Sequence, residues 1–269
     1  MPLSRQHFET IKRLVVSRSG IVLSDTKMYL VESRLGPIAS TLGLSSTSDV
    51  ASAVAGGDLT MQELVVDALT TNETFFFRDI SQFDTLRETI LPSIIARKQP
   101  SMTLNIWCGA TSSGQEPLSL AMLLRESFPE LRTWKVNFTA TDISDEMLER
   151  CKRGRFSQIE IARGLPAKLL VKYFRKEDMR WAVDDEILRM IEFKKLNLIR
   201  SFPPMPPMDL ILLRNVMIYF SEPMKQAILT NVRSVLHPEG FLLLGTGEFA
   251  RGDSFQRIAE EKSNYFKAA

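Results

Sequence analysis

The sequence predicts an α/β protein that begins with an all-α part, and two observations support this class. Over roughly the first 70 residues, apolar side chains recur at three- and four-residue spacing, which is typical of amphipathic helices. From about Met102, short apolar runs alternate with helical stretches, as in a parallel sheet covered by helices. We therefore expect a helical N-terminal domain over 1–70, a connecting segment over 71–100 and a Rossmann-like domain over 101–269.

Residues 1–70 are expected to form four helices around a thin core. Apolar residues mark the first two helices: Phe8, Ile11, Leu14, Val15, Leu35, Ile38, Ala39 and Leu42. Gly56 and Gly57 separate the third helix from the fourth, because glycine is unfavourable inside a helix. Thr60 and Glu63 have the spacing of a capping box, which predicts the start of the fourth helix.

The remainder of the chain is expected to hold four main strands and three long helices. The strands are predicted over 103–107, 135–141, 209–213 and 241–244, and the helices over 116–128, 145–153 and 223–236. Residues 174–195 interrupt this alternation. We expect a small antiparallel β insert there, with strands over 179–183 and 189–194 joined around Asp184 and Asp185.

The composition excludes several classes of protein. With 44% hydrophobic and 25% charged residues in 269, it is ordinary for a globular chain. No apolar run approaches the roughly 20 residues of a transmembrane helix, and no apolar signal-peptide core follows Met1. Two cysteines and two histidines are too few for a disulfide framework or a structural metal cluster. We expect a cytoplasmic protein without membrane insertion and without a metal.

Charge is distributed unevenly, although the net charge is only +2, which argues against a nucleic-acid binder. Between residues 150 and 180, here called the basic segment, ten basic residues accompany only three acidic ones. Two interpretations remain open for the basic segment: a solvated helix face, or a docking surface for an acidic macromolecule.

The most informative stretch is residues 104–117, an apolar run followed by a Gly/Ser/Thr loop and a helix that starts near Glu116. This order builds a small-molecule cradle at the carboxyl end of the first strand of a doubly wound sheet. The loop lacks the Lys-Ser/Thr ending of a P-loop and the spacing of a dinucleotide fingerprint. An adenosyl ligand without phosphates therefore fits better, and a plain turn is the alternative.

Two acidic residues accompany this loop. Asp142 follows the second predicted strand, where an acidic residue accepts hydrogen bonds from ribose hydroxyls. The alternative for Asp142 is the N-cap of a helix that begins at Ser144. Glu116 either complements the dipole of its helix or pairs with a cationic amino group of a ligand.

Two further clusters combine apolar and polar residues. Residues 71–79 hold three consecutive phenylalanines and then Arg78, and we expect the rings to pack on both sides of a domain junction. Residues 209–220 predict a central strand that ends in Arg-Asn and leads to Tyr219. Polar groups at such a strand end are often catalytic in α/β enzymes. For Tyr219 the alternative is a core tyrosine with a satisfied hydroxyl.

Together these segments resemble the CheR-type chemotaxis receptor glutamate methyltransferases, which use S-adenosylmethionine. The resemblance extends from the helical N-terminus to Phe266. The family pattern Arg-Asn-Val-x-Ile-Tyr-Phe is matched by residues 214–220. The pattern Asn-x-Thr-x-Phe-Phe-Arg is matched by Asn72, Thr74, Phe76, Phe77 and Arg78.

The resemblance implies a class I methyltransferase domain and a role for individual residues. Arg78 and Tyr219 match positions that face the reacting methyl group and the incoming carboxylate. Because a glutamate carboxylate is already ionised at pH 7, no general base is expected. The positions implied to contact S-adenosylmethionine, or its product S-adenosylhomocysteine, are Asn72, Thr74, Arg78, Glu116, Asp142, Asn197, Leu198, Arg214 and Asn215.

This chain departs from the family pattern at a few positions. Gln115 replaces the usual glutamate and Leu118 the usual tyrosine beside the glycine loop. Thr246 and Gly247 stand where histidine and serine are common. These departures are compatible with the same activity, because Glu116 is retained.

The resemblance also implies the partner. We expect a monomer that forms methyl esters on glutamates of chemoreceptor (methyl-accepting chemotaxis protein) cytoplasmic helices. The alternatives are a methyltransferase for another acidic substrate and a cofactor-binding adaptor without turnover. Many members of the family also bind a receptor C-terminal pentapeptide, which adds as a strand to the edge of the insert, and those members tend to carry a glycine-containing loop there. Residues 175–190 have no glycine and an acidic turn at Asp184, Asp185 and Glu186, so we expect that peptide not to be required.

Overall fold

The chain divides into two units in the computed structural model, which describes residues 3–250, 252–260 and 263–268. The first unit comprises Met1–Thr71 and Tyr219–Lys225, and the second comprises Asn72–Ile218 and Gln226–Ala269. The predicted connecting segment over 71–100 falls almost wholly in the second unit.

Helices form the first unit, as predicted. Within the described residues they are α1 (Arg5–Ser19), α2 (Met28–Thr41), α3 (Thr47–Ala55) and α4 (Leu59–Leu69). An isolated antiparallel bridge between Ile21 and Phe220 links the two stretches of chain that make up this unit. The fully buried apolar side chains of its core are Ile11, Val15, Val31, Leu35, Val50, Ala51 and Val65.

The start of α4 differs from the prediction. Asp58, and not Thr60, is the N-cap, and its carboxylate accepts a hydrogen bond from the backbone N–H of Met61 at 3.0 Å. Gly57 takes a positive φ of 86° just before this cap, so the chain turns into the helix earlier than the capping-box spacing suggests. The predicted capping box at Thr60 and Glu63 is therefore wrong.

The second unit alternates strands with helices. The helices are α5 (Ile80–Thr85), α6 (Leu91–Lys98), α7 (Gln115–Ser127), α8 (Asp145–Arg153), α9 (Gln158–Ala162), α10 (Ala167–Tyr173), α11 (Asp185–Leu188) and α12 (Glu222–Val235), of which α12 starts in the first unit. The strands are β1 (Thr103–Gly109), β2 (Lys135–Asp142), β3 (Arg155–Ser157), β4 (Phe174–Glu177), β5 (Arg180–Val183), β6 (Glu192–Lys195), β7 (Met208–Leu213), β8 (Leu236–Leu244), β9 (Phe255–Glu260) and β10 (Ser263–Ala268).

Seven strands of the described chain form one mixed sheet in the order β6-β2-β1-β7-β8-β10-β9. The pairs from β6 to β8 are parallel, and β10 pairs antiparallel with both β8 and β9. Every residue of β7 is buried, as expected for a central strand covered on both faces. The four predicted main strands are thus confirmed as β1, β2, β7 and β8. The strand order reverses between β1 and β7, and ligands of such sheets bind at the carboxyl ends around that point.

A second, three-stranded antiparallel sheet exists, but its strands are not the predicted pair. Its order is β3-β5-β4, so β5 pairs with β3 and β4. Residues 192–195 instead form β6, which runs parallel to β2 at the edge of the main sheet. Asp184 is the N-cap of α11 and accepts from the backbone N–H of Glu186 at 2.7 Å. The predicted hairpin around Asp184 and Asp185 is therefore wrong, and the β4–β5 connection lies at Asp178 and Met179.

Candidate functional site

The loop after β1 has an unusual backbone conformation. Ala110, Ser112 and Gly114 all have positive φ, at 55°, 50° and 97°. A Cβ on Gly114 would lie 3.0 Å from the Sγ of Cys151, so glycine is required both by φ and by space. Non-glycine residues in this region are uncommon and concentrate at ligand sites and tight turns. The conformation of this loop is therefore compatible with the predicted binding role, and a tight turn stays the alternative.

Asp142, at the end of β2, fixes this loop. One carboxylate oxygen accepts from the backbone N–H of Ser112 at 2.7 Å, and the other accepts from that of Ser144 at 2.9 Å. The N-cap of α8 is Ser144 itself, whose hydroxyl accepts from the N–H of Met147 at 3.1 Å. The N-cap alternative for Asp142 is therefore wrong. A carboxylate has about four lone-pair sites, so these two bonds are compatible with further bonds to ligand hydroxyls.

The Asn-x-Thr-x-Phe-Phe-Arg segment lies against the same loop. The hydroxyl of Ser112 donates to the carbonyl oxygen of Asn72 at 2.8 Å. Five residues later, the N–H of Phe77 donates to the hydroxyl of Ser119, on α7, at 3.0 Å. Thr74 is half-buried between these two attachment points. Hydrogen bonds thus hold both ends of the motif beside the glycine loop.

The three phenylalanines of this segment all have packing partners in the second unit. The ring of Phe76 makes edge contacts with Phe156 and Phe174, at centroid distances of 5.1 and 5.7 Å. The ring of Phe77 contacts that of Phe83 at 5.1 Å. Phe75 lies under a guanidinium, that of Arg163, whose Cζ is 4.6 Å from the ring centroid.

Arg78 follows these rings at a sharp bend. The residues on either side of it, Phe77 and Asp79, have φ of 50° and 57°. Its side chain is half-buried, stacks over Phe75 at 5.4 Å and donates to the carbonyl oxygen of Glu73 at 3.2 Å. Two left-handed residues flanking one arginine are costly, and such strain is typical of functional sites.

Arg214 directly follows β7 and bonds to Asp79, Gln82 and Glu116, and these four residues are here called the Arg214 cluster. Arg214 is the most buried charge of the cluster, with 1% of its side chain exposed. Its Nη1 lies 2.6 Å from Oε2 of Glu116, and its Nη2 lies 3.0 Å from Oδ2 of Asp79. Nη2 also donates to the carbonyl oxygen of Arg78 at 2.6 Å, and Nε donates to Oε1 of Gln82. Arg214 therefore ties the end of β7 to α7 and to the bend that carries Arg78.

Glu116 lies in the first turn of α7, and its surroundings act on its charge in opposite directions. Burial raises the pKa of Glu116, because desolvation disfavours the ionised form. The guanidinium of Arg214 opposes this rise, and the charge of Glu248 adds to it. The pKa of Glu116 is therefore above that of an ordinary glutamate. A further cation beside Glu116 would stabilise its ionised form.

Asn215 and Glu248 connect the ends of β7 and β8. Asn215 has a φ of 57°, and its backbone N–H donates to Oε2 of Glu248 at 2.7 Å. Neither Glu248 nor Gln82 was singled out from the sequence. Each is an isolated polar residue whose partners are far away along the chain. The only sequence signal was that Glu248 directly follows the substituted pair Thr246 and Gly247.

Asn197 and Leu198 follow β6 at the other side of the loop. The backbone N–H of Leu196 donates to the carbonyl oxygen of Asp142 at 3.0 Å, which places the two strand ends side by side. The side chain of Asn197 accepts from the N–H of Ile199 at 3.2 Å, and Leu198 is buried. These two residues therefore lie near Asp142, as the prediction requires.

Tyr219 belongs to the first unit, unlike the other predicted site residues. Its carbonyl oxygen accepts from the backbone N–H of Val22, and its side chain is half-buried. The core-tyrosine alternative is not supported by this partial exposure.

The basic segment is largely neutralised. Within the described residues, six of its ten cations form ion pairs, in the pairs Arg150–Glu160, Lys152–Glu149, Arg155–Glu177, Arg163–Glu73, Lys172–Glu126 and Arg175–Glu177. Glu73, Glu126 and Glu149 lie outside the segment, so its sequence alone overstated its charge. The exposed cations with no ion pair to another described residue are Arg153, Lys168, Lys176 and Arg180.

Two further properties of the described chain bear on function. None of its helices combines the length and the apolar character needed to cross a membrane. In the same residues, no group of three or more His, Cys, Asp or Glu side chains is arranged to hold a metal ion.

Comparison with known proteins gives matches over both units. The family described as CheR methyltransferase, SAM binding domain, matches residues 72–265, and that described as CheR methyltransferase, all-alpha domain, matches residues 6–70. A chemotaxis protein methyltransferase of Vibrio parahaemolyticus is 41% identical over 263 residues, which is 95% of this chain and 94% of the relative. Chemotaxis protein methyltransferase 1 of Vibrio cholerae is 40% identical with the same coverage of 95% and 94%. The solved structure of a DhpI–SAH complex covers 71% of this chain and 78% of its own, at 13% identity and a TM-score of 0.33.

Proposed function

The chain belongs to the CheR methyltransferase family, and we propose that it is a protein-glutamate O-methyltransferase acting on chemoreceptors. Its relatives named chemotaxis protein methyltransferase match it over nearly the full length of both chains. The observation that carries the proposal is the Arg214 cluster, which joins the two family motifs in one place. Arg214 opens one motif, and the carbonyl of Arg78, which closes the other, accepts a hydrogen bond from it.

The cofactor is S-adenosylmethionine, and the residues at the strand ends fit it. Asp142 accepts hydrogen bonds from the ribose hydroxyls, while the backbone of the glycine loop approaches the ligand closely. Glu116 pairs with the ammonium group of the amino-acid part of the cofactor. Burial disfavours the ionised form of its carboxylate, and a cation beside it offsets this cost. Asn197 and Leu198 offer one polar and one apolar side chain near Asp142. The polar side chain suits the edge of the adenine base, and the apolar one suits its face.

Two further groups complete the cofactor contacts. Asn72 and Thr74 lie on the segment bonded to Ser112 and Ser119, so they border the loop. Arg214 and Asn215 border it from the end of β7. When bound, S-adenosylmethionine supplies a methyl group on a positively charged sulfur. An ionised carboxylate oxygen can accept this methyl group directly, because it has no proton to lose first.

Arg78 and Tyr219 act on the incoming glutamate. Arg78 attracts and orients the carboxylate by charge, and its bent backbone is fixed by Arg214. Tyr219 positions the carboxylate by hydrogen bonding through its hydroxyl. Proximity and orientation supply most of the rate enhancement, since the nucleophile is already ionised at neutral pH.

The partner is the cytoplasmic part of a chemoreceptor, and the enzyme acts there as a monomer. Glutamate-bearing receptor helices are acidic, and four exposed cations of the basic segment remain available to meet them: Arg153, Lys168, Lys176 and Arg180. The receptor C-terminal pentapeptide is not required for this recognition. One reason for that expectation is wrong, because Asp178 adopts a φ of 51° and supplies the tight β4–β5 turn without glycine. The other reason, an acidic turn at Asp184, Asp185 and Glu186, is also wrong, because these residues begin α11. At the β4–β5 turn, Glu177 is paired with Arg155 and Arg175, so Asp178 is the acid there without an ion pair to another described residue.

An assay of product formation tests the proposal against a non-catalytic adaptor. The full chain is incubated with S-adenosylmethionine, with or without a receptor cytoplasmic fragment, and S-adenosylhomocysteine is quantified. We expect many product molecules per enzyme, and only when the fragment is present. Binding of S-adenosylmethionine without receptor-dependent product would instead identify an adaptor.

A further inference from the structure

Glu248 is a buried carboxylate bonded to the backbone of three other residues. Only 4% of the residue is exposed. Its Oε2 accepts from the N–H groups of Asn215 and Gly245, both at 2.7 Å, and its Oε1 accepts from the N–H of Ile218 at 3.3 Å. A single side chain thus satisfies backbone donors from the ends of two neighbouring strands, β7 and β8.

Within the part of the chain that the structure describes, the hydrogen bonds to this carboxylate come from backbone N–H groups. No lysine or arginine among the described residues forms an ion pair with Glu248 at 4.0 Å or less. Burying a carboxyl group is costly unless hydrogen bonds compensate, and these three bonds occupy both of its oxygens. A neutral amide could accept on only one oxygen and would point its NH₂ at another donor.

The turn that carries Glu248 is itself tightly fitted. The N–H of Glu248 donates to the carbonyl of Gly245 at 2.9 Å, and Asn264 on β10 donates to the carbonyls of Gly245 and Glu248. A Cβ on Gly245 would lie 2.7 Å from both Asn215 Nδ2 and Glu248 Oε2. The side chain of Asn215 therefore packs directly on this turn, and the turn constrains where it can be.

We infer that Glu248 is a positioning residue of the methyltransferase, which sets the backbone of Asn215 for cofactor binding and that of Ile218 for the approach to Tyr219. The inference rests on the proposed function, because it needs Asn215 to contact the cofactor. Asn215 holds a left-handed φ of 57°, a conformation that costs energy in a non-glycine residue. The bond to Glu248 keeps Asn215 in that conformation before the cofactor arrives.

The test is product binding by a Glu248→Gln variant of the full chain, measured by calorimetry with S-adenosylhomocysteine below the unfolding temperature of every variant. Loss of the hydrogen bond from the Asn215 N–H to Oε2 should weaken binding about tenfold. The matched control is Asp209→Asn at the opposite end of β7. Asp209 is fully buried and likewise accepts from a backbone N–H, that of Asn105, at 3.0 Å, but it lies away from the glycine loop. We expect Asp209→Asn to lower the unfolding temperature and leave the affinity within twofold.

Gly245→Ala is a second variant, because it keeps the Glu248 side chain in the sequence while its Cβ, 2.7 Å from both Asn215 Nδ2 and Glu248 Oε2, forces the two side chains apart. It decides the question if Glu248→Gln does not fold, and it should also weaken product binding about tenfold. Unchanged affinity in the folded variants, with only a lower unfolding temperature, would make Glu248 a structural residue and overturn the inference. If the unaltered chain does not bind S-adenosylhomocysteine, the proposed function itself fails.

Discussion

Arg214 and Glu116 form a buried ion pair, with Nη1 and Oε2 2.6 Å apart. The pair joins the end of β7 to the first turn of α7, across 98 positions of sequence. Removing one partner of such a pair leaves an uncompensated charge in a desolvated place, which is more costly than the pair itself is stabilising. The pair therefore fixes the frame of the cofactor site, and it leaves Glu116 sensitive to any further cation that approaches.

This sensitivity predicts a pH dependence of product binding. The ligand ammonium favours ionised Glu116, so a protonated Glu116 must release its proton when the ligand binds. Affinity should then fall as the pH is lowered through the pKa of Glu116, which burial raises above the ordinary value. Calorimetry with S-adenosylhomocysteine at a series of pH values from neutral downward checks this.

Glu116→Gln provides the control for that series. The amide does not titrate, so the variant should bind more weakly at pH 7, and its affinity should change less as the pH falls. Parallel curves for the two proteins would show that Glu116 does not face the ligand ammonium.

Arg78→Ala should reduce turnover far more than it reduces stability, because the side chain makes one hydrogen bond and one ring contact in the described structure. Arg78→Lys should restore little, since lysine lacks the planar fork that can hold a carboxylate. The measurements are the rate of methyl transfer and the unfolding temperature. Arg189→Ala, at an exposed arginine paired with Asp185, is the control and should change neither. Near-normal turnover in an Arg78 variant would make that residue purely structural.

Asp142→Ala should weaken product binding more than tenfold, because a charge-assisted hydrogen bond of about 1.5–3 kcal/mol to the ribose is lost. Asp184→Ala is a matched control: Asp184 also accepts a bond from the backbone N–H two residues later, but at the start of α11. Both variants should lose some stability, and only the first should lose affinity. Unchanged affinity in folded Asp142→Ala would remove Asp142 from the site.

A receptor C-terminal pentapeptide should show no tight, saturable binding to this chain. Glu177 is paired with Arg155 and Arg175, so the repulsion of the free carboxylate at the end of such a peptide comes from Asp178 at the β4–β5 turn. Fluorescence titration of a labelled peptide measures this directly. Saturable binding that is lost on substitution in β4 would contradict the prediction and assign the edge of the small sheet to the peptide.

The sequence was sufficient for the central strands, because buried parallel strands appear as continuous apolar runs bounded by turn residues. It was insufficient for β6. The run 192–195 is charged and mostly exposed, so its pattern did not distinguish a hairpin strand from an edge strand beside β2. Only the long-range pairing with residues 139–142 decides between them.

Site residues within motifs were accessible from the sequence, but their partners were not. Asp142 was identified by its place after a strand, yet its bonds to Ser112 and Ser144 depend on how the loop folds back. Gln82 lies 132 positions from Arg214, and nothing local marks it as a partner of that arginine. Likewise, two of the acids that pair with the basic segment, Glu73 and Glu126, are distant in sequence, and composition within a window cannot reveal them.

The chemistry of the methylated group tests the central claim most directly. The full chain is incubated with S-adenosylmethionine labelled in its methyl group and with a chemoreceptor cytoplasmic fragment, and the isolated fragment is then treated with alkali. Methyl esters hydrolyse in base, whereas most N-methyl groups do not. We predict that the fragment carries label and that alkali releases it as methanol. Label that survives alkali, or no label on the fragment, would contradict glutamate methyl-ester formation.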